Sequence, residues 1–252
     1  MIVPDTPAAT WGRAVELGAR GRYAEAESLV APLVFAHNRW SSLSLSLIAS
    51  HRRQIGDIGE SMRLDTAAMD GACDAASRAD ALTGLAADAV AAGDAERAAA
   101  WHDEAGLHAP HDWRTLTRWH WVGSERALLA GDQSLAVGNA RQALAACLHR
   151  SPRHEAKSRI ILGAASGDVG DLPDVSPVLR AEGWVTLEWP LALVAAEHPA
   201  QVPSGWLAEA WEAGRGATYA IEKGLPEGVA PVWRAHPGVR RLRADGPAPR
   251  GG

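Results

Sequence analysis

The chain has a single Phe and two Tyr among 252 residues, two Cys and two Lys, and no long uninterrupted apolar stretch. Each scarcity excludes something. Sparse aromatic and β-branched residues leave little from which to build strands, because those side chains fit a pleated, half-buried surface best. Cys73 and Cys147 lie far apart without a C-x-x-C pair, so neither a disulfide scaffold nor a thiolate zinc site is expected, and a reducing cytoplasm is the simplest setting. Apolar runs such as 191–196 fall far short of the ~20 residues that cross a bilayer, so no membrane partner is expected. The stretch Met1 to Thr10 carries Asp5 and two prolines in place of a basic and then an apolar region, and does not read as a signal peptide. A formal net charge of -5 leaves no broad basic face, and nucleic acid is not an expected partner.

Alanine is abundant, at roughly a fifth of the residues, and is the best helix former. Hydrophobic residues make up 47% of the chain, enough for a sizeable core. An all-α protein is expected. Lys157 and Lys223 are the only lysines beside many arginines, a bias that reads as GC-rich bacterial coding.

A repeat organises the helices. Gly21-Arg22, Gly56-Asp57, Gly93-Asp94, Gly131-Asp132 and Gly167-Asp168 follow one another at 35, 37, 38 and 36 residues. Seven residues before the glycine stand Ala14, Ala49, Ala86 and Ser124, and five after it stand Ala26, Ser61, Ala98 and Ala136. Two antiparallel helices joined by a tight turn approach closely only where facing side chains are small. The spacing therefore predicts a helical hairpin with a left-handed glycine corner and an Asp N-cap at 57, 94 and 132. The fifth corner is ambiguous between Gly167 and Gly170. Pro173 and Pro177 loosen the start of the helix that follows it.

With Leu33, Ala68, Ala105 and Ala143 twelve residues after each glycine, and Leu17 with Gly21-Arg22-Tyr23-Ala24-Glu25-Ala26 as the clearest match, the pattern resembles the tetratricopeptide (TPR) repeat. Every unit is longer than the family's 34 residues, and a closing proline occurs once, at Pro110. The resemblance covers about residues 10–180 and implies a right-handed superhelical solenoid of five or six TPR-like helix pairs. The expected organisation is TPR-like helical repeats over 8–198, a C-terminal capping helix over 199–225 after an N-cap at Ser204, and an irregular basic Pro/Gly/Arg-rich tail over 226–252. Period-two alternation in Ser42 to Leu47 would read as a strand in isolation, and its place in the repeat overrides that.

The resemblance also implies a concave surface lined by one stripe of each first helix. Anchored on the glycines, that stripe carries Ser46, Ser50, Arg53 and Gln54, then Asp80, Thr83 and Ala87, then Arg118, Trp121 and Glu125, then His154 and Lys157. Trp11 occupies the equivalent place in the first unit. The residues expected to bind a partner are Trp11, Ser50, Arg53, Gln54, Asp80, Arg118, Trp121, Glu125, His154 and Lys157. Basic points at Arg53, Arg118 and Lys157 would suit an acidic segment or a free carboxylate. The alternative is a set of solvated helix faces. Trp119 and Trp121 project about 200° apart on one helix, so one fills the core and the other either joins it or faces the groove.

His102, His108, His111 and His120 fall within 19 residues, but nothing fixes them in tetrahedral geometry, and no metal or other cofactor is expected. No G-x-S-x-G elbow, H-E-x-x-H or P-loop occurs, and the chain is not expected to be an enzyme. The 239–243 cluster Val-Arg-Arg-Leu-Arg is either a solvated tail or a contact for an RNA backbone or an anionic surface. The leading expectation is a cytoplasmic, non-catalytic adaptor that binds a protein or peptide in its groove. The runner-up is a regulatory sensor that holds a short peptide or small ligand there. Whether the groove is open or filled by the C-terminal segment with Trp233 is left undecided by the sequence.

Overall fold

A computed structural model of the protein describes residues 6–108 and 112–244. Among the described residues there are fourteen α-helices, one 3₁₀ turn at Pro199–Gln201 and no strand. Twelve of the helices form successive pairs: Pro7–Ala19 (α1) with Tyr23–Val34 (α2), Arg39–Ile55 (α3) with Ile58–Asp70 (α4), and Ala75–Ala91 (α5) with Ala95–Leu107 (α6). They continue as Trp113–Leu129 (α7) with Gln133–Cys147 (α8), Pro152–Ser166 (α9) with Leu172–Glu182 (α10), and Val185–Glu197 (α11) with Ser204–Lys223 (α12). Short helices at Ala230–Ala235 (α13) and Pro237–Arg243 (α14) complete the order. The alternating stretch 42–47 is helical, inside α3.

The corners are made as the spacing predicts. Gly21, Gly56, Gly93, Gly131 and Gly167 are all left-handed, with φ from 72° to 92°. The fifth corner is therefore Gly167, and Pro173 is accommodated in the first turn of α10. Asp57, Asp94 and Asp132 accept hydrogen bonds from the backbone N–H of Glu60, Arg97 and Leu135, satisfying groups that a helix start leaves unpaired.

All eight small residues flanking the first four corners are completely buried. Where serine replaces alanine, its hydroxyl crosses the hairpin: Ser61 donates to the carbonyl of Ala49 at 2.8 Å, and Ser124 to that of Ala136 at 2.9 Å. These bonds join the same two positions of the repeat from opposite sides. A hydroxyl is tolerated at the tightest point of the pair because it finds an acceptor there.

Each helix packs on the next, and α1, α3, α5, α7, α9 and α11 also pack on one another in that order. An open array keeps its first and last units apart. Here α11 returns to α1, so these six helices form a closed circuit of contacts. Ala19 shares a core cluster with Trp184, Leu187 and Leu191, and the backbone N–H of Ala24 donates to the carbonyl of Gly224 at 2.8 Å. The terminal pairs thus bury apolar faces against each other, as units that cannot bury their own must do.

The C-terminal expectations need correction. Ala230–Ala235 and Pro237–Arg243, read as part of an irregular tail, are helical as α13 and α14. Val239 and Leu242 are completely buried, so this segment had apolar positions for a helix to bury, hidden in sequence by the flanking Pro and Gly. Arg241 pairs with Glu197, and Arg243 pairs with Glu222 at 2.7 Å. Ser204 is the first residue of α12, with Pro203 before it making no side-chain cap. Gly214 marks a close crossing in which a Cβ would meet Ala192 at 2.8 Å. Residues 1–5, 109–111 and 245–252 lie outside the described residues, so the closing Pro110 and His111 do too.

Candidate functional site

A cavity of about 250 Å³ lies among the odd-numbered helices α1, α3, α5, α7 and α9. Nine of the ten residues expected to bind a partner line it: Ser50, Arg53, Gln54, Asp80, Arg118, Trp121, Glu125, His154 and Lys157. Ser46, Thr83 and Ala87 of the same stripe line it as well. Trp11 does not; its indole N–H donates to the carbonyl of Leu43 at 3.1 Å, and the guanidinium of Arg114 lies 4.7 Å from its ring centroid. It supports the wall from behind.

The geometry adds two cations, Arg114 and Arg153, that sequence reasoning missed. Each stands exactly one helical step of four residues before an expected one, Arg118 and Lys157, and shares its helix face. That i, i+4 repetition was the available signal. Among the described residues the C-terminal segment contributes none to the lining: Trp233 is buried beside Tyr23, Ile55 and Ile221, and its N–H donates to the carbonyl of Thr218 at 2.9 Å.

Charge is unevenly distributed around the cavity. On the α3 and α5 side, Arg53 donates through Nε to Asp88 at 2.7 Å and through Nη2 to Asp65 and to the carbonyl of Gly84 at 3.1 Å. Both carboxylates are fully buried, and Asp88 Oδ1 lies 2.6 Å from Ser61 Oγ, where it shares that hydroxyl's one proton with the Ala49 carbonyl. Burial pushes the Asp65 carboxyl up to about 7, against the opposing pull of Arg53 and with help from Asp88. One guanidinium between two buried carboxylates cannot fully neutralise both.

On the α7 side the ratio is reversed. Arg118 and Arg114 share the single carboxylate of Asp80, which Arg118 chiefly holds below the usual carboxylate range despite its burial. On α9, neither Arg153 nor Lys157 has a carboxylate within 4.0 Å among the described residues. Arg153 Nε is buried without a hydrogen-bond partner. Lys157 Nζ lies 4.3 Å from the centroid of the Trp121 ring, and burial lowers its ammonium to about 8. His154 stacks on Trp121 at 5.3 Å, and burial, then the nearby cations Arg153, Arg114, Lys157 and Arg118, hold it neutral with a value of about 3.

The tryptophans divide as their angles require. Trp121 lines the cavity and donates to Ser158 Oγ at 2.8 Å. Trp119 packs away from it against Leu82, Leu85 and Ala105 and stacks on His102 at 4.4 Å. The Trp119 N–H donates to the carbonyl of His102 at 3.0 Å, and His102 Nε2 donates to that of Trp119 at 3.0 Å. The remaining histidines of the central cluster separate: His108 meets Arg78 at 3.2 Å, and His120 meets Asn139 at 3.2 Å. Among the described residues, no three His, Cys, Asp or Glu side chains come together as metal ligands would. None of the described helices is long and apolar enough to cross a membrane.

No protein-family model matches the chain, and no curated protein matches it significantly.

Proposed function

We propose that the chain is a non-catalytic ligand-binding protein, a TPR-like array of helix pairs wound right-handed and closed end to end, whose central cavity holds a small molecule. Between the two roles expected of the groove, the sensor is favoured over the adaptor on grounds of size. The cavity, at about 250 Å³ and recessed among five helices, is on the scale of a small metabolite and suits one more readily than a folded partner segment.

The observation that carries this reading is the cavity itself: the stripe of inner helices converges on one recess lined by α1, α3, α5, α7 and α9, within a circuit of helices that the α11–α1 contact closes. An array closed on itself also has a route to signalling. Ligand that draws the inner helices together changes the packing of every unit in the circuit, because packed cores have discrete rather than continuous arrangements. The cationic and aromatic lining supplies orientation in the manner of other small-molecule sites.

The test is a thermal-shift screen of metabolites against the native chain and against Ser50→Phe, which fills the cavity without removing a charge. A genuine ligand at a hundred times its Kd raises the native Tm by about 5–10 °C and leaves the filled variant unmoved. Metabolites that shift neither chain, together with a protein partner captured by the native chain and lost by Ser50→Phe, would reinstate the adaptor.

A further inference from the structure

The cations of the α9 wall, Arg153 and Lys157, are half-buried and have no carboxylate in contact, with Glu16 and Glu125 acting on them only from farther away. A buried guanidinium or ammonium is retained at a cost unless it is paired and hydrogen-bonded. Arg53 meets that condition through Asp65 and Asp88, and Arg114 and Arg118 meet it in part through Asp80. Arg153 and Lys157 do not: both face the cavity, and among the described residues neither has a carboxylate within 4.0 Å. Around the whole cavity five cationic side chains outnumber the two lining carboxylates, Asp80 and Glu125, and the excess lies at the α7 and α9 end.

We propose that the ligand of this cavity is a small organic oxyanion, a carboxylate or a phosphate ester, held by Arg153 and Lys157 of α9 with Arg118 of α7. This rests on the ligand-binding reading above and specifies its chemistry. Arg153 supplies planar guanidinium donors, and Lys157 supplies a point charge beside the flat face of Trp121. The indole N–H is already spent on Ser158 and the ring carries His154 and Lys157, so Trp121 fixes these side chains and offers the ligand no donor. An anionic head with a short planar or aliphatic body is complementary to that combination. A bound anion would complete the charge pairing that the protein alone leaves unfinished at this wall.

The experiment compares succinate, inorganic phosphate and the neutral succinamide by calorimetry and thermal shift. The chains are the native protein, Arg153→Met, Lys157→Met and the cavity-filling Ser50→Phe. Succinate or phosphate at millimolar concentration is expected to stabilise the native chain, and each cation variant to weaken binding about tenfold or more while retaining a cooperative unfolding transition. Succinate alone assigns a carboxylate ligand and phosphate alone a phosphate, while both together assign a general oxyanion site. Succinamide binding as well as succinate, or anion binding unchanged in both cation variants, overturns the oxyanion while leaving a cavity whose ligand Ser50→Phe excludes. If no anion stabilises the native chain, the oxyanion falls. If the metabolite screen also finds no molecule that distinguishes native from filled protein, the ligand-binding reading falls with it.

Discussion

The hydroxyl of Thr186 donates to the carbonyl of Ala19 at 2.9 Å, linking the first turn of α11 to the last residue of α1 across 167 positions of sequence. Both residues are buried. The carbonyl at a helix end has no partner within its own helix, so this bond satisfies a group that water cannot reach.

Replacement Thr186→Val should therefore cost about 1–3 kcal/mol, the price of a buried carbonyl left unpaired, measured by urea denaturation. Hydrogen exchange provides a second check. In a linear array the terminal units open first. With α1 packed on α11, their amides should be protected to the same degree as those of α5 and α7, and Thr186→Val should expose α1 and α11 together. Faster exchange of α1 alone in the native chain would contradict the closure.

Two glycines of similar sequence context should respond oppositely to alanine. A Cβ at Gly84 would fall well inside contact distance of the Asp65 carboxylate, which Arg53 holds in place from the other side. Gly84→Ala should cost about 2–3 kcal/mol and deform the cavity wall. Gly138, exposed within α8, has nothing within 4 Å of the corresponding position. Gly138→Ala should stabilise by about 0.5–1 kcal/mol through helix propensity alone. Thermal unfolding of the two variants side by side checks both signs.

The helix pairs were legible because their constraints are local. A left-handed corner asks for glycine, a helix start for Asp57, Asp94 or Asp132, and a close crossing for Ala or Ser, and each demand recurs within one unit. The inner stripe followed from the same register, which is why Arg53, Arg118 and Lys157 were found from their distance to the corner. What register cannot express is contact between units far apart in sequence. Thr186 and Ala19, or Tyr23 and Trp233, occupy no shared repeat position, so the closure had no periodic signature. The pairing of charges was hidden for a related reason. Asp65 and Asp88 lie on α4 and α5, outside the stripe, yet they decide that Arg53 is occupied while Arg153 is not.

Arg53 anchors two fully buried carboxylates, so Arg53→Met should cost about 3–5 kcal/mol by stranding both. Asp65→Asn should be far milder. Burial raises the Asp65 carboxyl to about 7, so the native state holds more protons than the unfolded chain between roughly pH 4 and 7, and this group's contribution to stability falls as pH rises through that window. Arg53, Asp88, Ser46 and Arg118 are the groups that face it. An amide removes the titration. Asp65→Asn should gain on the native protein as pH rises from about 4 to 7, in denaturant titrations run at each pH.

Lys157 should show the opposite course at alkaline pH. Burial lowers its ammonium from 10.5 to about 8; Glu125 opposes that shift, and Arg118, Arg153 and Arg53 reinforce it. Between pH 8 and 10.5 the unfolded chain therefore binds the extra proton, and this group's penalty on stability is relieved as pH rises. Methionine keeps the aliphatic stem and discards the charge, so Lys157→Met should be more stable than the native protein by about 1–2 kcal/mol at pH 7. That advantage should shrink toward zero as pH approaches 10, with His154 neutral throughout and Trp121 unchanged as the packing surface. A saturating anion should reverse the ranking at pH 7 by stabilising the native chain more than the variant. Unfolding curves of both proteins across that range, with and without succinate, check the pH course and the reversal together. A native chain already more stable than Lys157→Met at pH 7 without any anion would show that the ammonium is satisfied by the protein itself.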